Sequence, residues 1–358
     1  MPGSGGPAVL LRDKTIIAAL IGLVGTVLAA VVGVAAISWF EPDPPQQPDT
    51  PPLTATAPTV PGSPVISLIH VGDFPVGVAV SPDGRRVYVT NHGDDTVSVI
   101  DTGTNRPITD DIPVGDYPVG VAVSPDGRRV YVANARSNTV SVIDTDRNIV
   151  VHTIPVSDVD FNVVVSSDGL RAYVANAVDD TVSVIDTKNN NPVDAIPAGD
   201  NPNRVAITPD GLRAYVANSG SNTLSMIDIG KKIVIGTIPV GSLPSDVVFS
   251  PNEFRAYVVN SGADTVSVID TGNNSVGAPI AVGDRPMRAA VSPDGSRVYV
   301  TNFNDGTVSV IDTGDNEVAV TVTVGDAPYG VAVSPDGRHL YVTNYQSDTV
   351  SVIDTGVR

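Results

Sequence analysis

From about residue 65 onward the chain is written in short apolar runs separated by polar punctuation. Arg86-Val-Tyr-Val-Thr-Asn and Thr96-Val-Ser-Val-Ile-Asp are typical, six residues each and rich in Val and Ile. Runs this short and this β-branched predict strands. They barely alternate between apolar and polar positions, as expected of strands covered on both faces. Within each unit a Ser/Thr-Pro-Asp-Gly sequence separates two runs, at 81–84, 124–127, 208–211, 292–295 and 334–337. Pro presets φ, Asp bonds its own backbone and Gly accepts a positive φ, so each predicts a hairpin. Two copies have decayed: 166–169 lacks the Pro, and 250–253 lacks the Gly.

The pattern is periodic. Tyr-Val-x-Asn recurs at Tyr88, Tyr131, Tyr173, Tyr215, Tyr257, Tyr299 and Tyr341, first after 43 residues and then every 42. A fixed period near 40 built from four strand-like runs predicts a β-propeller, one blade per repeat. In the second repeat the strands fall at 119–124, 129–134, 139–144 and 149–156. The last repeat stops at Asp354-Thr355-Gly356 after its third strand, and an orphan fourth-strand sequence stands at 65–71. That segment is expected to complete the seventh blade and close the ring, removing free sheet edges. The predicted fold is therefore all-β: a seven-bladed propeller of four-stranded antiparallel blades, preceded by one transmembrane helix.

Pro-x-Gly-Val-Ala-Val-Ser-Pro-Asp-Gly, Tyr-Val-Thr-Asn and Thr-Val-Ser-Val-Ile-Asp-Thr resemble the YVTN-type β-propeller repeat family over roughly residues 65–358. The resemblance implies extracytoplasmic or cell-envelope proteins with no single shared activity. The wider propeller superfamily includes lactonase-type enzymes and cofactor-bearing electron-transfer domains.

The N-terminal segment reads differently. No charged residue occurs from Thr15 to Phe40, a run long enough to cross a hydrocarbon core about 30 Å thick. Arg12 and Lys14 precede it, Glu41, Asp43 and Asp49 follow, and Trp39 sits at the outer end. The asymmetry places residues 1–14 in the cytoplasm, 15–40 as a signal-anchor helix and the propeller outside. Cleavage after a small-residue site at Val34-Ala35-Ala36 is the rival expectation. Gly25, Ala29 and Gly33 form a small-xxx-small stripe that either pairs two helices or simply reflects composition; the oligomeric state stays open. Residues 41–64 contain nine Pro in 24 positions and read as an extended, semi-rigid linker.

Charge and composition narrow the chemistry. The chain carries −18, of which −16 belongs to residues 65–358, so nucleic-acid and anionic-lipid binding by the propeller are disfavoured. There is no Cys, hence no thiol nucleophile and no disulfide. His70, His92, His152 and His339 fall in unlike repeat positions and are not expected to converge on a metal. Most Asp residues occupy turns, which explains them better than calcium does. No cofactor is expected, and no standard catalytic motif is present.

What departs from the repeat is informative. Gly-Asp-x-Pro-x-Gly leads into each innermost strand, at the mouth of the central channel. Blades 1, 2 and 7 keep the closing glycine as Gly77, Gly120 and Gly330; the middle four carry Asn162, Arg204, Asp246 and Arg288. Asn201, Asn203 and Arg285 add polar groups beside them. The arginines suit an anion, whereas an Arg204–Asp246–Arg288 ion-pair chain is the purely structural alternative. A second cluster is aromatic: Phe74, Tyr117, Phe303, Tyr329 and Tyr345, with His92, occupy loop positions on the same face, blades 6, 7, 1 and 2. Aromatic loops on a rigid scaffold suit a protein or glycan partner; packing against the neighbouring Pro is the alternative. Three functions follow: a non-catalytic binding or scaffold module for a protein, glycan or small anion; a lactonase-type hydrolase; or a purely structural envelope protein.

Overall fold

The computed structural model describes residues 64–157 and 162–356. The expected anchor and nearly all of the linker lie outside the described residues. Among those described, no helix is long and apolar enough to cross a membrane.

Seven separate antiparallel sheets follow one another along the chain, each a blade. Ring closure is as the sequence requires. Blade 7 consists of Pro328–Val333, His339–Asn344 and Thr349–Asp354, with Val65–His70 as its outer strand. Leu68 pairs with Ser351 and Ile69 with Val350, and Asp354 N donates to Pro64 O at 2.8 Å. The strand ends at His70, one residue short of the expected boundary, although Val71 N still donates to Asp348 O.

The core is divided among the blade interfaces rather than concentrated at a centre. Each interface holds one repeat tyrosine; between blades 7 and 1, for example, Tyr341 packs with Ile69, Val87, Val89, Ile100 and Val350. All seven repeat tyrosines are buried. Second and third strands, such as Arg129–Asn134 and Thr139–Asp144, are buried at nearly every position, which explains their lack of alternation. The repeat asparagine is a further tie. Asn302 Nδ2 donates to Thr307 Oγ1 at 3.0 Å and to Ser309 Oγ at 2.9 Å, and all seven equivalents are wholly buried.

Two blades depart from four continuous strands. In blade 1 the outer strand is reduced to Arg106–Pro107 and Ile112–Pro113, and in blade 5 to Ser275–Val276 and Ile280–Ala281. Proline cannot donate to a ladder, and the breaks fall directly after Pro107 and directly at Pro279.

Candidate functional site at the channel mouth

The innermost strands Pro75–Val80, Pro118–Val123, Val163–Val165, Pro202–Ile207, Pro244–Phe249, Pro286–Val291 and Pro328–Val333 encircle the axis. At the mouth, the three glycines are crowded rather than open. A Cβ on Gly77 would lie 2.2 Å from Val119 O, and one on Gly330 would lie 2.3 Å from Val76 O. Blades 1, 6 and 7, whose x residue in Tyr-Val-x-Asn is Thr, bridge to their neighbours through it. Thr90 Oγ1 accepts from Gly77 N at 2.7 Å and donates to Val119 O at 2.9 Å. Thr343 links Gly330 N and Val76 O in the same way, and Thr301 links Arg288 N to Tyr329 O.

Blades 3 and 5 reach the next blade from the inner strand itself. Asn162 Oδ1 accepts from Val205 N at 3.0 Å, and Asp246 Oδ2 from Ala289 N at 2.9 Å. Both side chains are buried. Asp246 Oδ1 also accepts from Val247 N and from Arg204 Nε, each at 2.8 Å. Both carboxylate oxygens are engaged, so Asp246 is an ion-pair and backbone anchor.

The arginines face a cavity. Arg204 and Arg288 line it together with Tyr329 and the glycine walls of blades 1, 2 and 7; its volume is about 20 Å³, on the order of one water or a compact group. Arg288 is 4% exposed. Its Nη1 donates to Ser245 O at 2.8 Å and Met287 O at 3.1 Å, and its Nη2 to Tyr329 Oη at 3.3 Å. Among the described residues Arg204 is paired through Nε, with its side chain 29% exposed, and it lines the cavity. Burial pushes the Arg204 guanidinium below its ordinary value; Asp246 opposes that fall and the nearby Arg288 cation adds to it. The expected ion-pair chain is thus only half formed: Asp246 pairs with Arg204, while Arg288 bonds to neutral oxygens. Asn203, beside them, is 6% exposed, and its Oδ1 has no hydrogen-bond partner among the described residues.

Two of the expected mouth residues sit elsewhere. Asn201 and Arg285 occupy the x position of Gly-Asp-x-Pro, which is left-handed, with φ of 53° and 52°. That conformation carries their side chains out over the loops. Arg285 stacks on Phe303 at 4.9 Å, and Asn201 Oδ1 accepts from Ser219 Oγ at 2.8 Å. The position is stabilised by the preceding blade: Phe74 N donates to Asp348 Oδ1, Tyr117 N to Asp95 Oδ1 and Arg285 N to Asp264 Oδ1, at 2.8 to 2.9 Å. The loop aspartates are turn-holders.

The aromatic residues form one continuous arc. Tyr117 meets His92 edge-on at 4.2 Å, Tyr345 packs on Phe74 at 5.0 Å and on Phe303 at 6.1 Å, and Phe303 meets Tyr329 at 6.3 Å. Arg136 caps the Tyr117 end at 5.1 Å, and Arg288 stands 4.9 Å from the Tyr329 ring. Tyr329 and His92 are buried; Phe74, Tyr117, Phe303 and Tyr345 are half-buried. The arc and the channel arginines therefore meet at Tyr329, a junction that repeat position alone did not reveal. Arg136 was missed as well, because its loop position carries no motif. Around this face the rim is acidic: burial raises the Asp73 carboxyl, with the charges of Asp94 and Asp348 adding to the rise.

Fold and site together define a seven-bladed β-propeller protein. The family described as lactonase, 7-bladed β-propeller, matches residues 56–153, and the YNCE-like β-propeller family matches residues 244–355. A solved structure of Kuenenia stuttgartiensis hydrazine synthase is similar at a TM-score of 0.74 and 27% identity, over 84% of this chain and 100% of that one. No curated protein sequence matches the chain.

Proposed function

We propose that this protein is a non-catalytic binding module, held outside the membrane by its N-terminal segment, that takes a compact anion or the carboxylate tip of a larger ligand at the channel mouth. The observation that carries this reading is the pair of guanidiniums, Arg204 and Arg288, lining one cavity, with Asp246 paired to Arg204 and Arg288 bonded to neutral oxygens. One positive charge is left over in a site partly removed from water, where a forked donor binds an anion well. The extracytoplasmic placement rests on the uncharged run from Thr15 to Phe40 and the charges flanking it. The aromatic arc supplies the adjoining surface for the rest of a protein or glycan partner.

Calorimetric titration of the full chain with acetate, nitrate and phosphate tests the anion site. Saturable binding is expected, falling about tenfold in Arg204→Lys, which keeps a charge for Asp246 but loses the fork. Equal affinity in that variant, or no saturation with any of the three, would refute it. The lactonase-type alternative draws on the match over 56–153. Against it, Asp246 has both oxygens engaged and offers no free base. Turnover of simple γ- and δ-lactones by the purified chain would reverse that preference.

A further inference from the structure

Away from the channel, a second cleft of about 310 Å³ lies between blades 5 and 6. It adjoins the interrupted outer strand of blade 5, where pairing resumes only at Ile280–Ala281 after Pro279. Blade 6 contributes Asn302, Asp305, Thr307, Ser309 and Thr321.

The hydrogen-bond inventory of this cleft is lopsided. Asn302 is fully used: Nδ2 donates to Thr307 and Ser309, and Oδ1 accepts from Gly283 N at 3.2 Å. The two hydroxyls therefore accept, while their own protons meet no acceptor among the described residues, and the Thr321 hydroxyl is likewise unengaged. Asp305 Oδ2 accepts from Asp284 N at 2.8 Å, leaving Oδ1 open. The chain supplies its own control in blade 1. There Ser98, the counterpart of Ser309, donates to Asp111 Oδ1 at 2.7 Å, and Asp111 holds the register position that Thr321 holds in blade 6. Blade 6, like blades 2 to 5 and 7, provides no such acceptor among the described residues, and here the cleft opens onto the hydroxyls.

We propose that this cleft binds a neutral, hydroxyl-rich ring of monosaccharide size. A hydroxyl both donates and accepts. Such a ring takes protons from Thr307, Ser309 and Thr321, gives its own to Asp305 Oδ1, and lays its C–H face on Val282 and Val318. The volume stands at the lower end of small-ligand sites, about 300 Å³ and upward. Asp305 repels anions, so this site is distinct in chemistry from the channel mouth. An ammonium group would satisfy Asp305 but leave the hydroxyl protons without acceptors.

The test is titration of the full chain with D-glucose, D-galactose and D-mannose, and with methylammonium chloride as the charged control, read by ligand-observed NMR. Saturable binding of at least one sugar is expected. Thr321→Val, at an exposed position, and Asp305→Asn, which can still accept from Asp284 N, each weaken it about tenfold. Arg204→Lys leaves it unchanged, separating this site from the channel. The proposal is overturned if no sugar saturates, if binding is indifferent to both cleft variants, or if methylammonium alone binds.

Discussion

Asp246 Oδ1 and Arg204 Nε lie 2.8 Å apart across the interface of blades 4 and 5, with the carboxylate wholly buried and the guanidinium at the cavity edge. The asymmetry predicts unequal mutants. Asp246→Ala leaves Arg204 without its counter-ion and removes the acceptor of Ala289 N, and is expected to cost about 3–5 kcal/mol. Asp246→Asn keeps an acceptor for that N–H and should cost less. Urea unfolding of both variants checks the order; equal losses would show that the charge is irrelevant.

The channel glycines make a steric prediction. Gly77→Ala and Gly330→Ala each drive a Cβ into a backbone carbonyl of the next blade, which cannot rotate away. Each is expected to destabilise by roughly 3 kcal/mol or more, at the upper end of overpacking costs. Arg288→Ala removes hydrogen bonds but creates no clash. A melting temperature for Gly77→Ala equal to the parent would show that blades 1 and 2 can part freely.

Acid should act through His92 before it acts through the turns. Burial pushes this imidazole down to about 4 from 6.5, so the folded ring is neutral where the unfolded one binds a proton. Stability is then present above the unfolded value, declines as pH falls from about 6.5 to about 4, and the loss amounts to up to about 3 kcal/mol. The hairpin aspartates act lower. Hydrogen bonds from Ser81, Ser124 and Thr208 depress Asp83, Asp126 and Asp210 from 3.8, so their contribution fades only below about pH 4. Stability of His92→Phe measured from pH 7 to 4 should be nearly flat; a slope matching the parent would exclude His92 as the cause.

Ring closure predicts the effect of truncation. A chain shortened to begin at Val71 loses the pairing of Val65–His70 with Thr349–Asp354 and buried Ile69. The exposed edge of Thr349–Asp354 is then free to pair with other chains. Light scattering should detect aggregation in this truncation, whereas a chain beginning at Ser63 remains monodisperse.

The seven blades, their turns and the closing strand were legible because they depend on local chemistry repeated in register: Pro-Asp-Gly, Tyr-Val-x-Asn and the missing last strand. The convergence of Arg204, Asp246 and Arg288 was legible too, since equal repeat positions meet on the axis. What each does there was not. Asn162 reads as a mouth residue, yet its partner is an amide 43 residues on, fixed by how two blades abut. Gly77 reads only as the retained repeat glycine, and its contact with Val119 O appears only once two blades abut. Arg285 and Asn201 read as channel residues, and only the left-handed backbone at their position turns them outward. The break at Pro279 is visible as a residue, but the cleft beside it depends on what blade 6 places opposite.

Pro64 and Asp354 meet at one end of the closing blade, and the aromatic loops begin at the other, one strand length away. Both ends of the propeller chain thus leave by the side remote from the mouth. A support reached through either end therefore leaves the mouth clear of the attachment. A ligand offering several anionic or aromatic-binding groups could then be gripped by an array far more tightly than by one propeller, by effective concentration alone.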